Sequence, residues 1–365
     1  MAPPVRSRPI RKNDFPTFFK PLKPVLFSES TSARPGLLAP RIGAISWSPT
    51  GSLVASCTAT SIRIWNPERP NIKSSTELRN AHPKGGAAYG SASGDIVEKI
   101  AFCPTTEGVL ASTGHDGMVR LWDVRTPGGA AVAGGKGTPL ADCRVGNEGH
   151  FLTWHPSGRE MLVGRKDDVI HSVDMRRMVD FDGSAKYDLE ATERSPAKDK
   201  SVYYVMAFSN SGRELFATTH EGPVKVFDYP SMSLLHTLSG HAAQTYTVQQ
   251  SPTGTYLAVG GADGVVSLWD THTWFCANAL TAHTASVKDV SFSFDGTYVA
   301  AGSGNDAKDG SPGMEIYHAD TGDVVHTIDT VNPVTYVAWH PTRYWIAYAG
   351  DPGGLKLVGP GSSVI

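Results

Sequence analysis

The chain has no apolar run approaching the ~18 residues that a membrane-spanning helix requires. Its four cysteines, Cys57, Cys103, Cys143 and Cys276, lie 46, 40 and 133 residues apart and make no CxxC pair. Buried or incidental thiols in a reducing compartment therefore fit better than a disulfide or zinc framework. There is no Asn-x-Ser/Thr sequon, which also points to an intracellular protein. The first residues, Met-Ala-Pro-Pro-Val-Arg-Ser-Arg-Pro, lack the apolar core of a signal peptide. Eight prolines among the first 41 residues exclude the amphipathic helix of a mitochondrial presequence.

Catalytic signatures are missing as well. There is no HExxH, no GxSxG and no clustered His/Cys set. Gly134-Gly-Lys136 resembles the tail of a phosphate-binding loop, but position 130 is Ala and Lys136 is followed by Gly137 instead of Ser or Thr. No catalytic residue, cofactor or metal site is expected, and the chain does not read as an enzyme.

What is present is a period. An apolar run ending in an aromatic or its stand-in and then a Ser/His-Pro or Gly turn recurs seven times, centred on Trp47, Phe102, Trp154, Phe208, Gln250, Phe292 and Trp339. The spacings are 55, 52, 54, 42, 42 and 47 residues. Each copy continues with an apolar strand, a turn and a second strand ending near Trp65, Trp122, Val173, Phe227, Trp269, Tyr317 or Leu357. The fullest copies run Leu110 to Asp123 and Leu257 to Asp270. This pattern resembles WD40 repeats, at ~40–45 residues for each four-stranded blade. The expected fold is all-β, a seven-bladed WD40 β-propeller over residues 42–358 with a C-terminal tail at 359–365. The 38 glycines and 25 prolines suit short strands and frequent reversals.

The last copy ends at Leu355-Lys-Leu-Val358 with almost no chain left for an outer strand. Val25-Leu-Phe27 is the natural donor, so a closing strand is expected near 24–28 within 21–41, removing an unpaired edge. Residues 1–41 carry eight Lys/Arg against Asp14 and Glu29, a charge of +6, which leaves −8 on the remainder. Residues 1–20, with Arg6, Arg8, Arg11 and Lys12, read as a basic, Pro-rich disordered arm for an acidic partner, RNA among them. The basic cluster also fits a nuclear-import signal. Long connections are expected at 66–95, 124–149, 176–201 and 303–313. Low complexity in the second and dense charge in the third favour disorder.

Three local features stand out. His241, Asp263 and Trp269 are placed for a structural hydrogen-bond network in the fifth copy, although Val259 replaces the Ser/Thr that would complete it. His283 occupies the same place in the sixth. Asp167 and Asp168 form a tight carboxylate pair, but with Arg165 and Lys166 beside them the turn reads as a charged partner-binding patch and not as acid/base machinery. Ser195-Pro196 with Lys198 resembles a proline-directed kinase site.

Beyond generic WD40 proteins, several stretches resemble the THO complex subunit 3 family. They run from Thr153 to Ile170, through Phe227-Asp-Tyr-Pro230, Gly261 to Asp270 and Val290 to Gly296, and on to Pro333-Val-Thr-Tyr-Val-Ala-Trp-His-Pro-Thr-Arg343. The long loops and the basic arm depart from that pattern. The resemblance implies a non-catalytic nuclear scaffold in a hetero-oligomeric complex, docked on large helical THO subunits and engaged with RNA only indirectly or through the arm. It would act in mRNP assembly and mRNA export, with no membrane association. The alternative from the residues is a stand-alone peptide or histone-tail reader, with a cationic peptide held in the channel by acidic and aromatic groups.

Overall fold

The computed structural model describes residues 6–27, 41–69, 75–83, 96–124, 138–179, 185–196, 201–304, 313–350 and 354–360, with 177–179 and 185–186 by backbone alone. Its strands form seven four-stranded antiparallel sheets. In blades one to six the strands of a sheet are consecutive in sequence, as in blade two with Val97–Phe102, Val109–Gly114, Met118–Asp123 and Ala141–Arg144. The second strand of each blade is buried on both faces: Val54–Cys57, Val109–Gly114 and Tyr298–Ser303 are buried at every residue. That is why these strands read as unbroken apolar and small residues. The outer strands face solvent, and Leu234–Leu238 buries only its last residue.

Blade seven is built from both ends of the chain. Val334–Trp339, Ile346–Gly350 and Gly354–Val358 supply three strands, and Val25–Phe27 pairs antiparallel with the third through Val25↔Leu357, Leu26↔Lys356 and Phe27↔Leu355. Phe27 is fully buried and meets Trp65 of blade one edge-on, with ring centroids 5.4 Å apart. The closing strand therefore also fills the seam between the last blade and the first.

The expectation of a disordered arm over 1–20 is corrected from residue 6 onward. Residues Phe15–Phe19 form one short helix with Pro16 in its first turn, where the missing N–H costs nothing. Phe15 and Phe19 stack at 4.4 Å and are buried against Tyr298, Trp339 and Tyr344 of blades six and seven. Polar contacts complete the docking. Tyr298 donates its hydroxyl to the Ile10 carbonyl at 2.7 Å, the Ile10 amide donates to the Tyr344 oxygen at 3.2 Å, and Tyr344 donates to Asp295 at 2.6 Å. Composition alone did not reveal that two phenylalanines four residues apart share one face of a helical turn.

The long connections are also corrected in part. The stretch 66–95 contains the outer strand Thr76–Arg79, and 124–149 contains Ala141–Arg144. The stretch 176–201, expected to be disordered, contributes most of a hairpin of Ile170–Val179 and Ala185–Glu193. Tyr187 and Leu189 are buried while Asp188 and Glu190 are exposed, a two-residue alternation hidden beneath the high charge. Arg176 bridges the two strands to Glu190 at 2.7 Å. The Gly-rich stretch 125–137 and residues 305–312 lie outside the described residues.

Candidate partner-binding surfaces

Each inner strand of blades two to seven carries a register irregularity near its start. It falls between Val97 and Lys99, Gly149 and Phe151, Tyr203 and Met206, Thr245 and Thr247, Val287 and Asp289, and Val334 and Tyr336. A bulge leaves residues unpaired and re-aims the neighbouring side chains. Here the unpaired residues include Tyr204, Tyr246, Lys288 and Thr335, all of which line the central channel.

On the face carrying the turns between second and third strands, two histidine networks knit blades two and five. In blade two, His82 Nδ1 lies 2.8 Å from Asp116 and its Nε2 lies 2.7 Å from the Ser112 hydroxyl, which also accepts the Trp122 indole N–H at 2.9 Å. Burial lowers the His82 pKa against the pull of Asp116. Burial works against ionisation of Asp116, but His82 and Arg120 outweigh it and lower its pKa. The repeat pattern does not mark this network, because His82 lies in the long connection 66–95.

In blade five, His241 Nδ1 lies 3.1 Å from each Asp263 oxygen, its Nε2 is 2.7 Å from Ser267, and Trp269 donates to the same Ser267 oxygen at 2.8 Å. The hydroxyl missing at Val259 is supplied by Ser267, its register partner on the adjacent strand. In blade six the corresponding pair is Ala301 and Glu315, and His283 Nδ1 lies 2.6 Å from the Glu315 carboxylate.

A second histidine device explains the Trp-His-Pro triplets of blades three and seven. His340 Nε2 lies 3.1 Å from the Gly51 carbonyl of blade one, while its Nδ1 accepts the Thr342 and Arg343 amides at 3.1 Å each. His155 does the same with Gly212 of blade four at 3.2 Å. Gly51 and Gly212 sit at φ +76° and +72°, and a Cβ on either would fall 2.1 or 2.2 Å from the incoming imidazole. Two indoles reach the other way: Trp154 donates to the Ala101 carbonyl, and Trp47 of blade one donates to the Ala338 carbonyl of blade seven.

The third-blade turn is brought together but largely neutralised by its own neighbours. Arg165 pairs with Asp167 and donates to the Val145 carbonyl at 3.1 Å, while Lys166 reaches Glu148 at 2.8 Å. Partial burial opposes ionisation of Asp167, yet the bond and charge of Arg165 hold its pKa down. The pKa of Asp168 is raised, by burial first and then by the charge of Asp167. It takes the left-handed position of the tight turn, at φ 63°. Lys166, Asp167 and Asp168 remain exposed. Of the basic arm, Arg6, Arg8 and Arg11 are exposed, whereas Lys12 is tied to Asp323 and to Thr321 at 2.9 Å. Ser195 accepts the Ile170 amide at 3.0 Å and is half-buried, so its hydroxyl closes a hairpin end.

The channel has an aromatic wall, with Tyr204, Tyr246 and Tyr336, but the acid that lines it among the described residues, Asp289, is already hydrogen-bonded. Its wall presents Lys99 above Tyr336 at 4.8 Å and Lys288 above Tyr246 at 3.7 Å. Burial works against the charge on Lys99, but Tyr336, Glu98 and Asp289 outweigh it and raise its pKa. The acid Asp289 is engaged in the wall, accepting from Thr247 at 3.1 Å and from the amides of Val290 and Val337 at 3.0 Å each. It thereby links blades five, six and seven. Among the described residues no group of three or more His, Cys, Asp and Glu side chains is placed to hold a metal ion. Among the described residues no helix is long and apolar enough to cross a membrane.

Seven four-stranded sheets around a channel, with His-Asp-Ser-Trp networks in two of them, define a WD-repeat β-propeller. The chain matches the WD domain, G-beta repeat family over residues 38–66, 88–123, 232–270 and 274–311. It is 30% identical over 319 residues to THO complex subunit 3 of Arabidopsis thaliana, spanning 87% of this chain and 88% of that protein. The chain belongs to the THO complex subunit 3 family. It is also 27% identical over 243 residues to WD repeat-containing protein AAC3 of Dictyostelium discoideum, spanning 60% of this chain and 44% of that protein. Among solved structures it resembles the β-propeller domain of Cps50 (Swd1) from Myceliophteria thermophila, with a TM-score of 0.68 and 16% identity over 89% of this chain and 98% of that one. That likeness concerns the fold alone.

Proposed function

We propose that this chain is a non-catalytic scaffold subunit of a THO-type nuclear complex, acting in co-transcriptional mRNP assembly and mRNA export. The observation that carries the reading is the similarity to THO complex subunit 3 along almost the full length of both chains. A rigid ring offers several surfaces at fixed angles, which suits a subunit that holds partners without transforming them. Its partners would be the large helical subunits of THO, and the exposed Lys166, Asp167 and Asp168 of the third-blade turn are proposed as one contact. Arg6, Arg8 and Arg11 would engage RNA through the arm.

The test is purification of the tagged full-length chain from nuclear extract at low salt. Stoichiometric recovery of the large THO subunits is expected, and their absence would overturn the reading. Replacing Arg6, Arg8 and Arg11 with Glu keeps Phe15 and Phe19 in place and isolates the RNA proposal. Unchanged RNA affinity and an unchanged salt slope would end it.

A further inference from the structure

The channel holds two lysines without a carboxylate partner among the described residues. Lys99 belongs to blade two and Lys288 to blade six, nearly opposite one another across a cavity of about 490 Å³. Each ammonium stands over a tyrosine ring, and neither makes an ion pair among the described residues. The acids nearby are already engaged. Glu98 meets His115 at 3.1 Å, and Asp289 accepts three hydrogen bonds inside the wall. Between the lysines the wall is aromatic and aliphatic, with Tyr204 and Tyr246 packed edge to face at 5.3 Å beside Phe151 and Leu152.

We infer that the channel binds acidic side chains of a peptide segment, with Lys99 and Lys288 taking carboxylates and the tyrosine wall taking their methylenes. Lysines are point charges on flexible stems, and they suit carboxylates arriving at several angles better than they suit a phosphate, which favours a guanidinium fork or a nest of amides. Lys288 already rests its ammonium on Tyr246, so less side-chain freedom is lost when the anion arrives. The bulges in the inner strands give the geometry its cause. Without the extra residue at Lys288 the ladder would carry that side chain into the blade interface. The inference does not depend on membership of a THO complex, because it concerns the isolated ring.

Fluorescence anisotropy with a labelled hexaglutamate peptide on the full-length chain tests it, with hexaglutamine as the neutral probe and an oligouridine as competitor. Saturable binding by hexaglutamate alone is expected, weakened about tenfold in Lys288→Met and in Lys99→Met, as for loss of a charged hydrogen bond. The exposed Lys23→Met should leave it unchanged. Lys99→Arg should keep most of the affinity even where Lys99→Met folds poorly. Raising salt from about 50 to about 200 mM should weaken binding, since exposed charges are screened over a shorter distance. The inference fails if hexaglutamate does not bind, or if Lys288→Met and Lys23→Met behave alike. It also fails if oligouridine displaces the peptide and binds more tightly through the same lysines.

Discussion

Val259 and Ser267 face each other across the second and third strands of blade five, and Ser267 supplies the hydroxyl that Val259 lacks. In blade two the arrangement is reversed. Ser112 on the second strand provides the oxygen, and its register partner Arg120 reaches Asp116. Paired strand positions share one face of the sheet, so a hydroxyl on either strand can reach both the imidazole and the indole.

Exchange between those positions is therefore expected to be tolerated. Ser267→Ala should lower stability by about 1–2 kcal/mol through an unsatisfied buried imidazole nitrogen and indole N–H. Val259→Ser added to Ser267→Ala should recover much of that loss, measured by urea unfolding. No recovery would mean that the network depends on the third-strand position itself.

Phe15 anchors the arm in the same way that a core residue anchors a strand. Phe15→Ala should cost about 3 kcal/mol at the docking site, in the range of large-to-small core substitutions. The loss should be local, because among the described residues the arm contributes no strand before Val25. Limited proteolysis should cleave after Arg11 and Lys12 much faster in the variant while the thermal midpoint of the ring changes little. Equal cleavage rates in the two proteins would show that the helix does not hold the arm.

Ring closure predicts a different outcome at Phe27. This side chain is fully buried between Trp65 and the last blade, so Phe27→Ala should lower stability by about 3–5 kcal/mol and expose the edge of Gly354–Val358. A fall in the thermal midpoint together with concentration-dependent association would be the signature, read by calorimetry and light scattering. A soluble, monomeric variant with an unchanged midpoint would contradict it.

His340 should make the fold sensitive to acid. Burial and then the nearby Arg343 charge lower its pKa from 6.5 to about 4, against the Gly51 carbonyl. Protonation would also place a proton on the Nδ1 that accepts the Thr342 and Arg343 amides. Because the folded value lies below the unfolded one, this histidine's contribution is fully present above pH 6.5 and is lost as pH falls through about 4. The limb should be worth up to about 3 kcal/mol, and His340→Gln should flatten it while lowering stability at neutral pH. A pH series of urea midpoints on both proteins decides the point.

Much of this architecture was legible because a propeller repeats. The period located seven blades, and the missing strand after Val358 pointed to Val25–Phe27. The network of His241, Asp263 and Trp269 was visible because its residues sit at fixed offsets from the fifth repeat. His82 was not, since the strand before it, Thr76–Arg79, carries no apolar alternation and lies in a stretch of unusual length. The hairpin of Ile170–Val179 and Ala185–Glu193 was hidden for a related reason, because exposed charges such as Arg176, Asp188, Glu190 and Glu193 dominate its composition and outweighed the two-residue period.

The sequence by itself determined the ring, its number of blades and its closing strand, because those depend on local patterns that recur and on counting strands. The tertiary structure alone decided what the ring presents. The order of the arm depends on pockets formed by Tyr298 and Tyr344 some three hundred residues away in sequence. The sign of the channel depends on bulges that turn Lys288 inward and on a wall that occupies Asp289. An acidic propeller can enclose a cationic channel because net charge sums over all side chains, whereas a site is defined by the few whose charges remain unpaired.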